Sequence, residues 1–183
     1  MTCSPQLPMD RDVVIGLDLA TQTGWAAYTV GYQHLGSGAW DISGPKGEHI
    51  GARLVRLRAN LDGLLGAYRG RVVLVSVEDV YSSPTMKGGR SRQGKHSGSM
   101  LWRYRGIAEM VAAEHGAPVV AYAQSTLKLH YARSGNASIE QVIAIADAEF
   151  PLTTPPGRSK KLRGDEAMGR AAAVTAIAKM ARK

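Results

Sequence analysis

The sequence predicts an α/β fold in which a mixed β-sheet is flanked by helices. Three short strand-like runs come first, and helical and strand-like segments alternate after them, an order typical of a layered fold. The chain has 183 residues, of which 44% are hydrophobic and 21% charged, so it can bury a core of its own. We therefore expect a flexible leader over residues 1–11 and a single domain over residues 12–183.

The first half of the chain predicts a three-stranded meander followed by a helix and a central strand. The meander is expected to have a tight turn around Gly24, between the runs DVVIGLDL and WAAYTV. The segment RVVLVSVE is almost continuously apolar, as strands buried on both faces are. The predicted elements are strands over 12–19, 25–30 and 34–42, a helix from Ile50 to Gly70, and a strand over 71–78.

The second half predicts four helices around one further strand. Residues 82–99 are rich in Ser, Gly and basic types and show no periodicity, which indicates a long loop. A Pro/Gly/basic connection over 151–164 precedes an Ala-rich final segment. The predicted elements are helices over 99–115, 124–133 and 138–150, a strand over 117–123, and a last helix from Asp165 to about Ala181.

Cysteine content and hydropathy exclude several classes of protein. Cys3 is the single cysteine and no Cys/His cluster has zinc-finger spacing, which excludes an internal disulfide and a structural zinc site. No stretch is apolar for the roughly 18 residues that a membrane span needs. We therefore expect a cytoplasmic protein with no membrane partner.

A formal net charge of +8 and a pI near 9.8 favour a polyanionic partner such as DNA. Two segments without acidic residues, 80–108 and 150–164, concentrate this charge beside acidic positions. Tyr81, Trp102 and Tyr104 lie in or near the first segment and could stack on unpaired bases or pack in the core. A solvated flexible loop is the alternative for the charge run. The candidate DNA-binding cations are Lys87, Arg90, Arg92, Lys95, Arg103, Arg105, Arg158, Lys160 and Lys161.

Three carboxylates stand at the ends of predicted elements. Asp18 lies in an apolar strand, Glu78 ends the most hydrophobic strand, and Asp165 opens the last helix. A strand carboxylate needs compensation for its desolvation, which a bound cation would provide. Oxygen ligands suit Mg²⁺, with Mn²⁺ as the alternative ion, and two such ions can hydrolyse a phosphodiester.

Structural roles are the alternatives for the same acids. Asp18 could accept hydrogen bonds from the following turn, and Glu78 could pair with the basic loop. Asp165 and Glu166 suit the positive end of a helix, and Glu166 could also pair with Arg170 at i,i+4.

The chain resembles the RuvC-type Holliday-junction resolvases of the RNase H-like superfamily, and phage-borne relatives look similar. The resemblance lies in GLDLATQTGWA at 16–26, VEDVY at 77–81 and the segment from LWRYRG to QSTLK at 101–128. It continues through GNASIEQVI at 135–143 and GDEAMGRAAAVTAIA at 164–178. It implies an RNase H-like fold and a homodimeric, metal-dependent endonuclease that resolves four-way junctions in DNA recombination and repair. It also implies that the protein acts in a bacterium or a phage-infected host.

The resemblance also implies roles for individual residues. Asp18, Glu78 and Asp165 match metal ligands, and Asp18, Glu78, Asp165 and Lys128 together form the implied catalytic set. Tyr81 matches an aromatic that stacks at the junction crossover, and Lys128 matches a cation near the scissile phosphate. Met168 stands where the family commonly has a further acid, so Glu166 is the substitute ligand, and Ile139 stands where lysine is frequent.

Other functions fit part of the pattern. A junction-binding protein without catalysis would keep the fold and the basic surface, and the departures at Met168 and Ile139 favour it. A related RNase H-like nuclease could act on flaps or RNA–DNA hybrids. GLDLATQTG is also similar to a phosphate-binding turn of actin-like and sugar-kinase folds, although the chain is short for their two lobes.

Overall fold

The computed structural model describes residues 12–79, 95–154 and 160–182, with side chains from residue 99 onward in the second range. Five strands form one sheet in the order β3-β2-β1-β4-β5. The pairs β1–β2 and β2–β3 are antiparallel, whereas β1–β4 and β4–β5 are parallel, which confirms the predicted mixed sheet. The strands are β1 Val13–Asp18, β2 Gln22–Thr29, β3 His34–Asp41, β4 Val72–Glu78 and β5 Val119–Tyr122.

Helices cover both faces of the sheet. Side chains of one β1 face, including Ile15 and Leu17, form a core with α1 and α2. On the opposite face α5 lies across β1 and β2, and α3 and α4 pack on α5. The helices are α1 Ile50–Ala67, α2 Lys95–Glu114, α3 Gln124–Ala132, α4 Ile139–Glu149 and α5 Lys160–Met180. Among the helices of the described ranges, none has the length and apolar character required to cross a membrane.

Glycines let α5 touch the sheet backbone to backbone. A Cβ on Gly16 of β1 would lie 2.1 Å from the Gly169 carbonyl oxygen, and one on Gly24 of β2 would lie 1.7 Å from the Asp165 carbonyl oxygen. Gly169 in turn approaches the backbone of Gly24 and Trp25. Because no side chain separates the two layers, the rotation and height of α5 over β1 and β2 are fixed.

Three predicted boundaries were wrong. Gly24 lies inside β2, paired with Asp18, and the chain reverses before Gln22, where the Thr23 hydroxyl donates to the Ala20 carbonyl at 2.6 Å. Helix α2 begins at Lys95, within the predicted loop. Helix α5 begins at Lys160, so Asp165 lies in its second turn and does not open it. The predicted leader over 1–11 and residues 82–94 of the predicted loop lie outside the described residues.

We expect Gly16→Ala to lower the free energy of unfolding by about 1–3 kcal/mol or more, because the added methyl overlaps α5. Gly63→Ala is the matched control, since a Cβ at this α1 position meets nothing within 4 Å. It should raise stability by about 0.5–1 kcal/mol through reduced backbone entropy in the unfolded chain. Urea denaturation measures both, and equal effects of the two substitutions would contradict the close contact.

Candidate functional site

Asp18 and Glu78 leave the sheet side by side. The parallel register pairs Leu17 of β1 with Val77 of β4, so the next residues, Asp18 and Glu78, occupy equivalent positions on adjacent strands. Leu17 and Val77 face the core under α1 and α2. Because successive strand residues alternate between faces, Asp18 and Glu78 point to the α5 side.

Helix α5 brings the third acid to the same place. Asp18 is paired with Gly24 across β1 and β2, and the Asp165 backbone rests directly on Gly24. Asp165 is 13% exposed at its side chain. Acids that are distant in the sequence therefore meet at the carboxyl ends of β1 and β4, under the second turn of α5.

Burial raises the pKa values of all three carboxylates, and at Asp18 the charges of the other two add to the effect. Desolvation raises the pKa of Asp18 well above its usual value, and the charges of Glu78 and Asp165 raise it further. Burial likewise raises the pKa of Glu78 and that of Asp165. The site therefore holds negative charge at an electrostatic cost, which a cation would relieve.

Helix α3 places two polar groups beside Glu78. Gln124 begins α3 directly after β5, and Lys128 follows one turn later on the same side of the helix. Against the larger effect of burial, a hydrogen bond from Gln124 and the charge of Lys128 favour the ionised form of Glu78 and lower its pKa. Lys128 thus lies within electrostatic reach of Glu78, and its role near the scissile phosphate stays a prediction. Gln124 was not predicted, since a glutamine at a helix start carries no distinctive sequence signal.

The donors suit a hard divalent cation. Within the described ranges, no group of three or more His, Cys, Asp or Glu side chains is arranged to hold a metal ion. Asp18, Glu78 and Asp165 therefore do not form a complete set of metal ligands, although the charges of Glu78 and Asp165 raise the pKa of Asp18. Carboxylate oxygens are nevertheless the ligands that Mg²⁺ takes, and Mg²⁺ usually binds through one or two of them while keeping several waters. The desolvated carboxylates fit such an ion.

Glu166, the predicted substitute ligand, faces away from these acids. Its side chain is fully buried, and its carboxylate accepts hydrogen bonds from the Ser37 hydroxyl at 2.7 Å and from the Thr153 amide at 3.0 Å. The Thr153 hydroxyl and the Thr154 amide bind the other oxygen at 3.0 and 3.2 Å. Although burial opposes ionisation, these donors lower the pKa of Glu166. The ligand assignment of Glu166 is wrong, because its oxygens are already committed to these partners.

Arg170 completes this buried network. Its guanidinium lies 3.3 Å from Glu166, which confirms the predicted i,i+4 pair, and it donates to the Ser37 hydroxyl at 2.8 Å. It also donates to the carbonyls of Ala146 and Phe150 at 2.8 and 2.7 Å. The network therefore joins β3, the end of α4 and the segment 151–154 to α5.

Of the two departures from the family pattern, Met168 lies in the core and Ile139 is partly buried against it. Met168 is 2% exposed and packs among residues of α3 and α4. Ile139 packs against Gly164 of α5, where an added Cβ would meet it at 2.9 Å. In the described residues, neither position 166 nor position 168 presents a free carboxylate to the site.

The structure describes only some of the predicted DNA-binding cations. Arg103 is exposed on α2, whereas Arg105 donates to Glu109 at 2.7 Å. Lys160 pairs with Glu140, and Lys161 pairs with Asp165 at 3.2 Å. Lys95 begins α2, but its side chain is not among those described. The remaining predicted contacts lie outside the described residues: Tyr81, Lys87, Arg90, Arg92 and Arg158.

The aromatic residues of α2 divide between surface and core. Trp102 is exposed, whereas Tyr104 is buried and its hydroxyl lies 3.4 Å from that of Thr21. Tyr104 therefore packs in the core, and the contact with Thr21 places the first half of α2 beside the β1–β2 turn. That turn lies at the sheet edge that carries the acids.

Comparison with known proteins connects this arrangement to one family. The crossover junction endodeoxyribonuclease RuvC of Anaeromyxobacter dehalogenans is 34% identical over 129 residues, 70% of this chain and 60% of that protein. RuvC of Anaeromyxobacter sp. is 33% identical over 142 residues, 76% of this chain and 60% of that protein. The chain thus spans about 60% of the length of these curated relatives. No protein-family model matches it.

Solved structures give the same answer for the fold. Thermus thermophilus RuvC matches with a TM-score of 0.67 at 24% identity, covering 92% of this chain and 96% of that one, both alone and in complex with a Holliday junction substrate. The yeast mitochondrial Holliday junction resolvase Ydc2 matches with a TM-score of 0.62 at 13% identity, over 98% of this chain and 82% of that one.

The chain is RuvC-like in sequence and in fold. The predicted family resemblance and the RNase H-like fold are thereby confirmed. The acidic edge of this RuvC-like chain and its buried Glu166–Arg170 network each generate a testable expectation.

We expect Asp18→Asn to raise the melting temperature of the protein in EDTA at pH 8. Because the fold raises the pKa of Asp18 above its usual 3.8, the unfolded chain loses this proton first and stability falls as pH rises above that value. The advantage of Asn should therefore be large at pH 8 and vanish towards pH 4. Each kcal/mol gained corresponds to about 2–4 °C.

Asp147→Asn is the control of opposite sign. The Leu152 amide and Arg163 hold the pKa of Asp147 below its usual value, so its ionised form stabilises the fold. This substitution should lower the melting temperature at pH 8. If Asp18→Asn also lowers it, the cost of burying the ionised Asp18 carboxylate beside Glu78 and Asp165 is not the dominant effect at this position.

We expect Arg170→Met to reduce the free energy of unfolding by about 3–5 kcal/mol, because it leaves the buried carboxylate of Glu166 without its cation. Arg58→Met is the matched control: Arg58 pairs with Glu114 at 3.0 Å on the surface, and its loss should cost less than about 1 kcal/mol. Urea denaturation measures both, and equal reductions in the free energy of unfolding would contradict a larger contribution from the buried pair.

Proposed function

We propose that this chain is a metal-dependent DNA endonuclease that cleaves branched DNA, with four-way junctions as its substrate and residues 12–183 as its nuclease domain. The observation that carries the proposal is the meeting of Asp18, Glu78 and Asp165 at one sheet edge, where each carboxylate is desolvated and two of them repel Asp18. The relatives named crossover junction endodeoxyribonuclease support the substrate class.

Each acid has a role that follows from its position. Asp18 and Glu78 project from neighbouring rigid strands, and Asp165 projects from a helix locked onto the same strands. These side chains would hold Mg²⁺, with Mn²⁺ as the alternative. When bound, such an ion supplies an activated water and stabilises the leaving oxygen of the phosphodiester.

Cationic groups would hold the DNA strand against the acids. Lys128 stands on the Glu78 side of the site, where its ammonium group would contact the phosphate beside the scissile bond. Exposed Arg103 on α2 would bind the backbone farther along, and Trp102 of the same exposed turn would stack on an unpaired base. The basic residues outside the described ranges stay predicted DNA contacts.

The chain is proposed to act as a homodimer in the cytoplasm. A four-way junction has two equivalent strands to cut, and a two-fold symmetric pair of sites would cut both at matching positions. The structure of Thermus thermophilus RuvC with a Holliday junction substrate supports junction DNA as the partner class.

A junction-binding protein without catalysis is the second candidate. The observation in its favour is that Glu166 and Met168 are both buried in the described structure, so the family's additional acid has no replacement there. A nuclease specific for flaps or RNA–DNA hybrids would instead keep the three acids and differ in its preferred substrate.

Asp18→Asn should lower the rate of cleavage of a synthetic four-way junction by about 10³-fold, since metal catalysis contributes several kcal/mol to such reactions. Junction binding in a gel-shift assay should stay near that of the wild type, because phosphate contacts carry most of the affinity. Asp62→Asn, at an exposed acid of α1, is the control and should leave both measurements unchanged.

The same assay separates the candidates. Symmetric nicks in the presence of Mg²⁺ support the resolvase, and a mobility shift without cleavage supports the binding protein. Faster cleavage of a flap or an RNA–DNA hybrid than of the junction would redirect the substrate assignment.

A further inference from the structure

A lysine already occupies the side of the acidic site that α5 provides. The Lys161 ammonium lies 3.2 Å from the Asp165 carboxylate, one helical turn away. The two partners differ in burial, since the Lys161 side chain is 58% exposed and that of Asp165 is 13% exposed. The lysine therefore reaches from solvent towards a mostly buried carboxylate.

The charge of Lys161 acts on more than its direct partner. It favours the ionised form of Asp18, against the larger effects of burial and of the two neighbouring acids, and it also favours ionised Asp41 at the end of β3. Asp41 pairs in register with Gln22 at the start of β2, next to the β1–β2 turn. Lys161 thus stands among three carboxylates that belong to three different elements.

We propose that Lys161 is an internal counter-ion of this site, which holds Asp165 while no divalent cation is bound and is displaced when one binds. The inference rests on the proposed function, because it requires that Asp18, Glu78 and Asp165 bind a cation. It adds a competition that the three acids alone do not imply. Displacement would also turn the ammonium outwards, towards a DNA phosphate.

The ion pair has the properties that a displaceable group needs. A lysine ammonium is a point charge on a flexible stem, so it can leave without moving the backbone of α5. Ion pairs with an exposed partner are weak and are screened by salt. Lys161 can therefore offset part of the repulsion among the acids and still be displaced by a divalent cation.

The neighbouring Lys160 provides a matched comparison. It has the same charge and adjoins Lys161 in the first turn of α5, but it pairs with Glu140 of α4. Lys160→Gln therefore changes the net charge of the protein as much as Lys161→Gln does, without removing the partner of Asp165. A difference between the two variants reports the local ion pair.

Isothermal titration of the full chain with Mn²⁺ and with Mg²⁺, at low ionic strength and without DNA, tests the competition. Lys161→Gln should bind the ion about fivefold more tightly than the wild type, near the upper range for an ion pair with one exposed partner. Lys160→Gln should bind within about twofold of the wild type. Circular dichroism confirms that both variants are folded.

A second measurement follows the lysine itself. In protein labelled with ¹⁵N-lysine, Mg²⁺ should shift the ammonium signal of Lys161, identified by its absence in Lys161→Gln, and leave that of Lys160 in place. Such a shift at saturating Mg²⁺ supports displacement. An unmoved Lys161 signal at saturation overturns it.

The outcomes distinguish this inference from the proposed function. If the wild type binds the ion and Asp18→Asn does not, but Lys161→Gln and Lys160→Gln bind equally, the site is real and Lys161 is not its counter-ion. Weaker binding by Lys161→Gln overturns the inference in the same way. If the wild type shows no saturable binding, both the metal site and the inference fall.

Discussion

Direct contact between the backbone of α5 and the sheet is the constraint on which the candidate site depends. Gly16 and Gly24 leave no side chain under the helix, and Gly169 leaves none above the sheet. The helix therefore cannot rise or rotate without losing its packing against β1 and β2. Asp165 rests on Gly24, the residue paired with Asp18. The contact that packs α5 on the sheet therefore also positions Asp165 beside Asp18.

Two groups of buried charge show opposite electrostatic design. Around Glu166, every oxygen has donors and Arg170 provides the balancing charge, so the network ties α5 to β3 and α4. Around Asp18, like charges are desolvated together and raise its pKa. The first arrangement joins α5 to its neighbours, whereas the second lowers stability at the place where the proposed cation would bind. The protein is thus rigid next to the place where it is electrostatically strained.

The sequence allowed the sheet and most of the helices to be predicted, and it singled out Asp18 and Glu78 because each stands at the end of an apolar strand. Asp165 was singled out at the expected start of the last helix, although it lies in the second turn of α5. The role of Glu166 could not be predicted, since its partner Ser37 lies 129 residues away and a serine in a strand carries no signal. The predicted turn at Gly24 was wrong because glycine is frequent both in turns and where two backbones are in close contact. The predicted start of α5 was wrong because the first turn of this helix is basic and follows Pro and Gly, which are residue types typical of a loop.

The two adjacent acids of α5 stand in different surroundings, so they differ in the substitutions they tolerate. Asp165 and Glu166 follow each other in the chain, yet one turns to the edge of the sheet and the other into the interior. Exchanging their identities would place a shorter carboxylate among the donors of Ser37 and Thr153 and a longer one beside Asp18. The exchange would leave the composition and the net charge unchanged. A comparison of acid content would therefore not detect it, although the buried network and the acidic edge would both be altered.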